Sequence, residues 1–380
     1  MRPSIPEIIS SRSVRLLWVP IALTFLALTF FVHQHDAISR ISINWTNLSD
    51  QQKSASNSAP HESNGGHDSS VNWSRFAYIQ YVTNSHYLCN SVMLFESLHR
   101  LGSRADRVMM YPSHMLDPNS PEKKRDNDRD RQLLLKARDE YDAKLVPIAV
   151  YRKDTNEETW AESFTKLLAF NQTSYDRVLS LDSDSVVLQP MDELFLLPSC
   201  SVAMPRAYWL QPEKDILSSQ IMLVQPSAAE FQRVMEAIEA GGGNDYDMEI
   251  VNQLYKDNAL VLPHRKYNLL SREFAAEDHS KYLGTDQTEW NPVDIFKEAK
   301  FVHFSDWPMP KPWLRSPPNL RAEREPKCRD KDDGKTCVER DIWNGFYDGF
   351  RDRRQRICGL GLAEPDYILR RRGRRQKQSS

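Results

Sequence analysis

The chain has 380 residues, enough for one large domain or two small ones. With 50 Lys and Arg against 52 Asp and Glu, the formal charge is −2, so no global basic field points to nucleic acid. The arginine-rich run 370–377 is a local exception and reads as a solvated tail.

The apolar run from Leu16 to Val32 has a length near the lower end for a membrane span and follows Arg2, Arg12 and Arg15. The positive-inside rule makes 1–15 a cytoplasmic tail and 16–32 a transmembrane signal anchor. A cleaved signal peptide is the alternative, but no small-x-small cleavage site follows Val32. Residues 33–74 are rich in Ser, Asn, His and Gly and read as a flexible lumenal stem. Sequons at Asn44, Asn47, Asn72 and Asn171 suit a lumenal body. The five cysteines leave at least one free or bonded to another chain. Cys328 and Cys337 are close enough to close a small loop, although spacing alone leaves the pairing open.

From Arg75 the composition becomes globular. Residues 76–82 read as a strand, 83–87 as a turn and 88–101 as a helix stopped by Gly102. A strand at 107–111, a charged surface helix from about 122 to 141, a strand at 143–148 and a helix at 159–170 follow. The next strand ends in Asp182-Ser183-Asp184. This alternation implies an α/β fold with a mainly parallel central sheet and helices on both faces. Ligands of such sheets bind beyond the carboxyl ends of the strands. Both Thr83-Asn84 and Asp182-Ser183-Asp184 sit at such ends, which predicts one cleft.

Further strands are expected at 201–205 and 221–224. A helix at 227–240 would be capped by Ser227, with Glu230 as its capping-box partner, and ended by Gly241. A helix at 245–256 carries Asp247 and Glu249, and a short aromatic helix lies near 341–351. The body is expected to span 75–315, with 316–380 as a C-terminal extension.

Asp182 and Asp184 can turn toward one divalent cation where the chain leaves the sheet, and such hard oxygen ligands suit Mn²⁺ or Mg²⁺ holding a diphosphate. Near the other end of the body, 300–313 delivers His303 on a short apolar run and Lys311 in a loop rich in Pro and Trp. Imidazole is a common metal ligand, and Lys is a point charge for a phosphate. Together these residues form a set able to hold a metal-bound nucleotide diphosphate. Asp247 or Glu249 supplies an anionic neighbour for an oxocarbenium-like sugar. The two do not share a helix face, and Asp247 is the preferred candidate.

From about Phe76 to Trp313 these motifs resemble the glycogenin-like (family eight) retaining glycosyltransferases. Within that family the chain looks most like the fungal Golgi N-acetylglucosaminyltransferases, through 246–249, 262–265 and 303–308. The resemblance implies a GT-A nucleotide-sugar-binding fold and a UDP-sugar donor. It makes Asp182, Asp184 and His303 the ligands of Mn²⁺, with Lys311 on the diphosphate and Tyr81, Thr83, Asn84 and Tyr87 around the uridine. It also puts Lys166 against the donor and Asp247 near the transferred sugar, both as catalytic residues. Glycogenin has Asp-Gln where this chain has Asp247-Met248, and Asn-Ser-Gly where it has Ser218-Ser219-Gln220. The 303–311 loop is two residues longer here.

The expected activity is Mn²⁺-dependent, retaining transfer of N-acetylglucosamine from UDP-GlcNAc to a mannose-containing glycan. It would take place in the Golgi lumen, on a single-pass type II membrane protein. Another donor (UDP-glucose, UDP-galactose or GDP-mannose) would use the same machinery. A non-catalytic Golgi scaffold and a metal-dependent hydrolase are the competing classes. The hydrolase lacks the further ligands that an activated water usually needs.

Overall fold

The computed structural model describes residues 71–116, 124–153, 161–284, 289–331 and 334–365. The tail at 1–15, the anchor at 16–32, nearly all of the stem and the basic run 370–377 lie outside the described residues. Among those described, no helix is long and apolar enough to cross a membrane.

Alternation of apolar strands with amphipathic helices builds the expected α/β body with a mainly parallel sheet. β1 (Phe76–Tyr81), β2 (Asp106–Pro112), β3 (Ala143–Ile148) and β4 (Arg177–Leu181) run parallel, in the order β3-β2-β1-β4. α1 (Ser85–Arg100) and α2 (Lys124–Tyr141) lie between the first three. β5 (Ser185–Val187), β6 (Val202–Pro205), β7 (Ile221–Val224) and β8 (Leu260–Leu262) follow; β7 continues the sheet antiparallel to β4, then come β6 and β8. β1 and β4 read as nearly unbroken apolar strands because helices and turns cover both of their faces.

Several expectations change in detail. α1 begins at Ser85 rather than 88, because the Asn84 side chain accepts hydrogen bonds from the backbone N–H groups of His86 and Tyr87 and so caps the helix. The helix expected at 159–170 is instead 3₁₀ turns over Ser163–Asn171. There the Thr165 hydroxyl binds the backbone of Tyr151, while Phe164, Leu167 and Phe170 anchor in the core. α3 (Ala228–Ala240) is capped by Ser227 as read, but the Glu230 carboxylate accepts from Tyr255 Oη at 2.5 Å and from Arg233 rather than completing a capping box.

α4 (Asp247–Tyr255) follows. A second small sheet then joins β5 to β9 (Leu269–Leu270) through β10 (Phe301–His303). The aromatic helix is longer than expected: α5 spans Val338–Cys358 and packs on α1 and on the 271–275 turn. Its Arg353 reaches Glu96 and Ser97 of α1, and a disulfide joins Cys89 to Cys358. Cys328 pairs with Cys337, and Cys200 is the free thiol.

Candidate active site

The site forms where β1, β4, β10 and α4 end or begin. Backbone pairing of β4 with β7 extends one residue past the strand, since Asp182 N–H donates to Gln220 C=O at 2.9 Å. That bond holds the start of the acidic turn beside Ser219. Three residues after Asp182, β5 begins and pairs antiparallel with β10, and the register sets His303 opposite Ser185. The register therefore carries His303 to Asp184: its Nε2 lies 3.1 Å from Asp184 Oδ1 and 3.9 Å from Asp182 Oδ2. A backbone bond from Phe304 N–H to Asp184 C=O fixes the same junction.

Two lysines flank the carboxylates. Lys311 Nζ lies 2.6 Å from Asp184 Oδ2 and 2.8 Å from the Phe304 carbonyl. Lys166, only 3 % exposed, lies 2.7 Å from Asp182 Oδ1 and 2.7 Å from Asp247 Oδ2. It also donates to the Ser219 carbonyl at 3.1 Å. Burial opposes its charge, but the carboxylates of Asp182 and Asp247 outweigh burial and hold the ammonium above its ordinary range. Against its own burial, Asp247 is held below the ordinary carboxylate range by Lys166.

Burial and Asp184 push Asp182 up, although Lys166 opposes them. Burial acts on Asp184 in the same direction, yet His303 and Lys311 bring it well down. Two carboxylates so close are thus driven apart in acidity by their unequal surroundings.

Asp247 is the first residue of α4, where the helix dipole favours an anion. Its carboxylate also accepts from Ser219 Oγ at 2.8 Å, and its N–H reaches Ser163 Oγ at 3.4 Å. Glu249, the other acidic candidate, accepts from the Tyr246 N–H at 3.2 Å, where it caps the helix. Tyr81 ends β1 and donates to Asp182 Oδ1 at 3.0 Å. Burial, then Asp182 and Asp247, push its hydroxyl well up, so it stays a protonated donor. Tyr87 stacks edge-on against Trp313, which ties the start of α1 to the loop carrying Lys311. Asn84 caps α1 and also donates to Thr83 Oγ1 at 3.4 Å.

The structure thus brings Asp182, Asp184, His303, Lys311, Lys166, Asp247 and Tyr81 into one cluster, with Thr83, Asn84 and Tyr87 at the adjoining strand-to-helix turn. Sequence reading named the 218–220 segment but gave Ser219 no role, and it overlooked Ser163. The signal for Ser219 was its place at the entry to the strand expected at 221–224, which the structure pairs with the acidic strand. For a divalent cation the donor set fits: carboxylate oxygens of Asp182 and Asp184 and a ring nitrogen of His303 lie within 4.8 Å of one another.

No family model matches the chain. A Gibberella zeae protein named glucose N-acetyltransferase 1 is 60 % identical over 292 residues, which are 76 % of this chain and 63 % of that protein, so the chain spans just under two thirds of that relative. An Aspergillus fumigatus protein of the same name is 47 % identical over 308 residues, 76 % of this chain and 78 % of the relative. A Saccharomyces cerevisiae protein, again of that name, is 26 % identical over 414 residues, covering 76 % and 82 %. Among solved structures, the galactosyltransferase LgtC in complex with donor and acceptor sugar analogs aligns at 12 % identity and a TM-score of 0.43, over 66 % of this chain and 92 % of that one. That likeness is too loose to bear on function. The Gibberella zeae and Aspergillus fumigatus proteins each match 76 % of the chain, and the chain belongs to the fungal glucose N-acetyltransferase 1 family.

Proposed function

We propose that this protein transfers N-acetylglucosamine from UDP-GlcNAc to a mannose-containing glycan, with retention of configuration and dependence on Mn²⁺. The observation that carries this reading is the convergence of Asp182, Asp184 and His303 between two lysines at the carboxyl ends of the strands. Asp182, Asp184 and His303 would hold the cation, which when bound neutralises charge on the departing diphosphate. Lys311 stands beside Asp184 as the cation for a phosphate oxygen. Lys166 ties Asp182 to Asp247, so the metal-side carboxylate and the sugar-side carboxylate are held by one buried ammonium. Asp247 supplies the anion facing positive charge on the sugar, and Ser219 fixes its orientation. In a retaining transfer the acceptor hydroxyl attacks from the leaving-group side and gives its proton to the departing diphosphate. No covalent enzyme nucleophile is required.

The relatives' shared name, taken word for word, describes movement of an acetyl group, and that gives a second reading. Sugar transfer is favoured because acetyl transfer has no need of a cation-binding carboxylate pair backed by lysines. The Golgi lumen and an anchor at 16–32 complete the proposal, supported by the apolar run and by the exposed sequon residues Asn72 and Asn171. The test is UDP release by the protein from a panel of UDP- and GDP-sugars, with and without Mn²⁺, beside Asp184→Ala. Mn²⁺-dependent release favouring UDP-GlcNAc and lost in the variant is expected. Release with another sugar overturns the donor assignment. Acetyl transfer without UDP release would establish the second reading.

A further inference from the structure

Segment 303–311 is a closed loop whose two ends meet on one carboxylate: His303 Nε2 and Lys311 Nζ both contact Asp184. Its midpoint is Trp307, which is 85 % exposed, the most exposed large apolar side chain among the described residues. Exposure of this kind leaves most of the indole in water, so its position beside the site rather than its exposure alone singles it out. Trp307 lies four residues from each loop end, so at ~3.5 Å per residue its Cα is at most about 14 Å from the Cα of His303 or Lys311, whose side chains touch Asp184.

The loop is held rigidly. Asp306, immediately before the tip, accepts from Trp343 Nε1 at 2.9 Å, from Tyr347 Oη at 2.9 Å and from Ser271 Oγ. Its carbonyl accepts from the Met309 N–H at 2.8 Å, and Ser305 N–H donates to Ser271 Oγ at 3.2 Å. Met309 and Trp313 are buried, and Lys311 closes back on the Phe304 carbonyl. The neighbour on one side of the tip is thus anchored inward by α5 while Trp307 projects outward. An aromatic ring on a fixed backbone loses little conformational entropy when a ligand covers it.

We propose that Trp307 is a stacking platform for a pyranose ring of the glycan acceptor, one or more units away from the sugar that receives the transferred group. The face of a hexose carries C–H groups that pack on an indole, and its edge hydroxyls stay in water at an exposed tip. This rests on the glycosyl-transfer reading for the identity of the acceptor, and it assigns part of the acceptor specificity to the outer loop.

The experiment compares the full chain with Trp307→Ala and Trp307→Phe, using methyl α-mannoside and a linear manno-oligosaccharide as probes. Direct binding is read by saturation-transfer NMR and calorimetry, and, where turnover is present, acceptor KM is measured at saturating donor. Trp307→Ala is expected to weaken oligosaccharide binding by about tenfold, equivalent to roughly 55 Å² of apolar surface left uncovered. Methyl mannoside, Mn²⁺-dependent UDP binding and the melting temperature should not move, and Trp307→Phe should retain most of the affinity. Equal oligosaccharide affinity in wild type and Trp307→Ala overturns the platform, as does a wild type that binds no manno-oligosaccharide. If instead Trp307→Ala abolishes binding to phosphatidylcholine–phosphatidylserine vesicles and leaves glycan binding intact, the ring serves a membrane surface and the proposal is wrong. Loss of oligosaccharide binding without any Mn²⁺-dependent UDP binding in the wild type would support the platform while sinking the transferase reading.

Discussion

Replacing Lys166 by Met tests the electrostatic core of the site. The ammonium is almost wholly buried and lies 2.7 Å from both Asp182 and Asp247. Removing one partner of such a buried cluster strands the others, which typically costs about 3–5 kcal/mol. A body of this size shifts its melting temperature by roughly 2–4 °C per kcal/mol, so a drop of about 10 °C is expected at pH 7. Asp182 and Asp247 would then carry raised folded-state pKa values. A carboxylate raised in the folded state binds protons more readily there than in the unfolded chain, so acidification favours folding. The deficit of Lys166→Met relative to wild type should therefore shrink between pH 7 and about pH 5. Adding Asp247→Asn removes one stranded charge and should recover part of the loss. Scanning calorimetry of wild type and the two variants at both pH values is the assay. A single variant that melts within about 2 °C of wild type at pH 7, or one whose deficit is unchanged at pH 5, would refute the buried-bridge account.

Asp184→Ala removes a carboxylate shared by His303 and Lys311, so Mn²⁺-dependent UDP binding by calorimetry should become undetectable while a folded protein remains. Asp306→Ala leaves Trp343, Tyr347 and Ser271 without their acceptor. It should lower the melting temperature by several degrees and weaken Mn²⁺–UDP binding, with Tyr347→Phe showing a smaller form of both, about 1 kcal/mol in stability. Lys166 holds Asp247 below the ordinary carboxylate range, so its contribution is present above the unfolded-chain value and lost as pH falls through the lower folded value. Acid unfolding curves of Asp247→Asn should accordingly converge with wild type below about pH 4. Opening the disulfide between Cys89 and Cys358, 269 residues apart, with a Cys89→Ala/Cys358→Ala pair should cost about 2–5 kcal/mol in thermal unfolding.

What could be read from the sequence was what local pattern determines. The strand before Asp182, the helix ending in Gly241 and the short run delivering His303 each carry their signal within a few residues. Lys166 had no such signal. It sits in a stretch of apparently helical periodicity that turns into 3₁₀ because Thr165 binds the Tyr151 backbone, and only the family resemblance pointed to it. The helical-face argument allowed only one of Asp247 and Glu249 at the sugar, and the resemblance named Asp247. In the structure Glu249 is engaged by the Tyr246 N–H at the start of α4.

The C-terminal region shows most directly what a linear reading lacks. From sequence, 316 onward was an extension beyond the body, yet α5 supplies two of the hydrogen-bond donors that hold Asp306 inside the His303–Lys311 loop. The same helix is tied to α1 by Arg353 and by the Cys89–Cys358 disulfide, and the first turn of α1 carries Tyr87 against Trp313. These contacts form a ring: α1, Trp313, the loop, Asp306, α5 and back to α1. Trp313 and Asp306 belong to or adjoin the loop, but the links that close the ring, Tyr87 to Trp313, Asp306 to α5 and α5 to α1, join residues tens to hundreds of positions apart and leave no local trace. The ring also carries a physical consequence. A change at Tyr347 or Arg353, far in sequence from Asp184, acts on the same loop that presents His303 and Lys311 to the acidic pair. Cation and diphosphate affinity should therefore respond to substitutions in α5 that touch neither ligand, by the coupling that packed two-ended elements transmit.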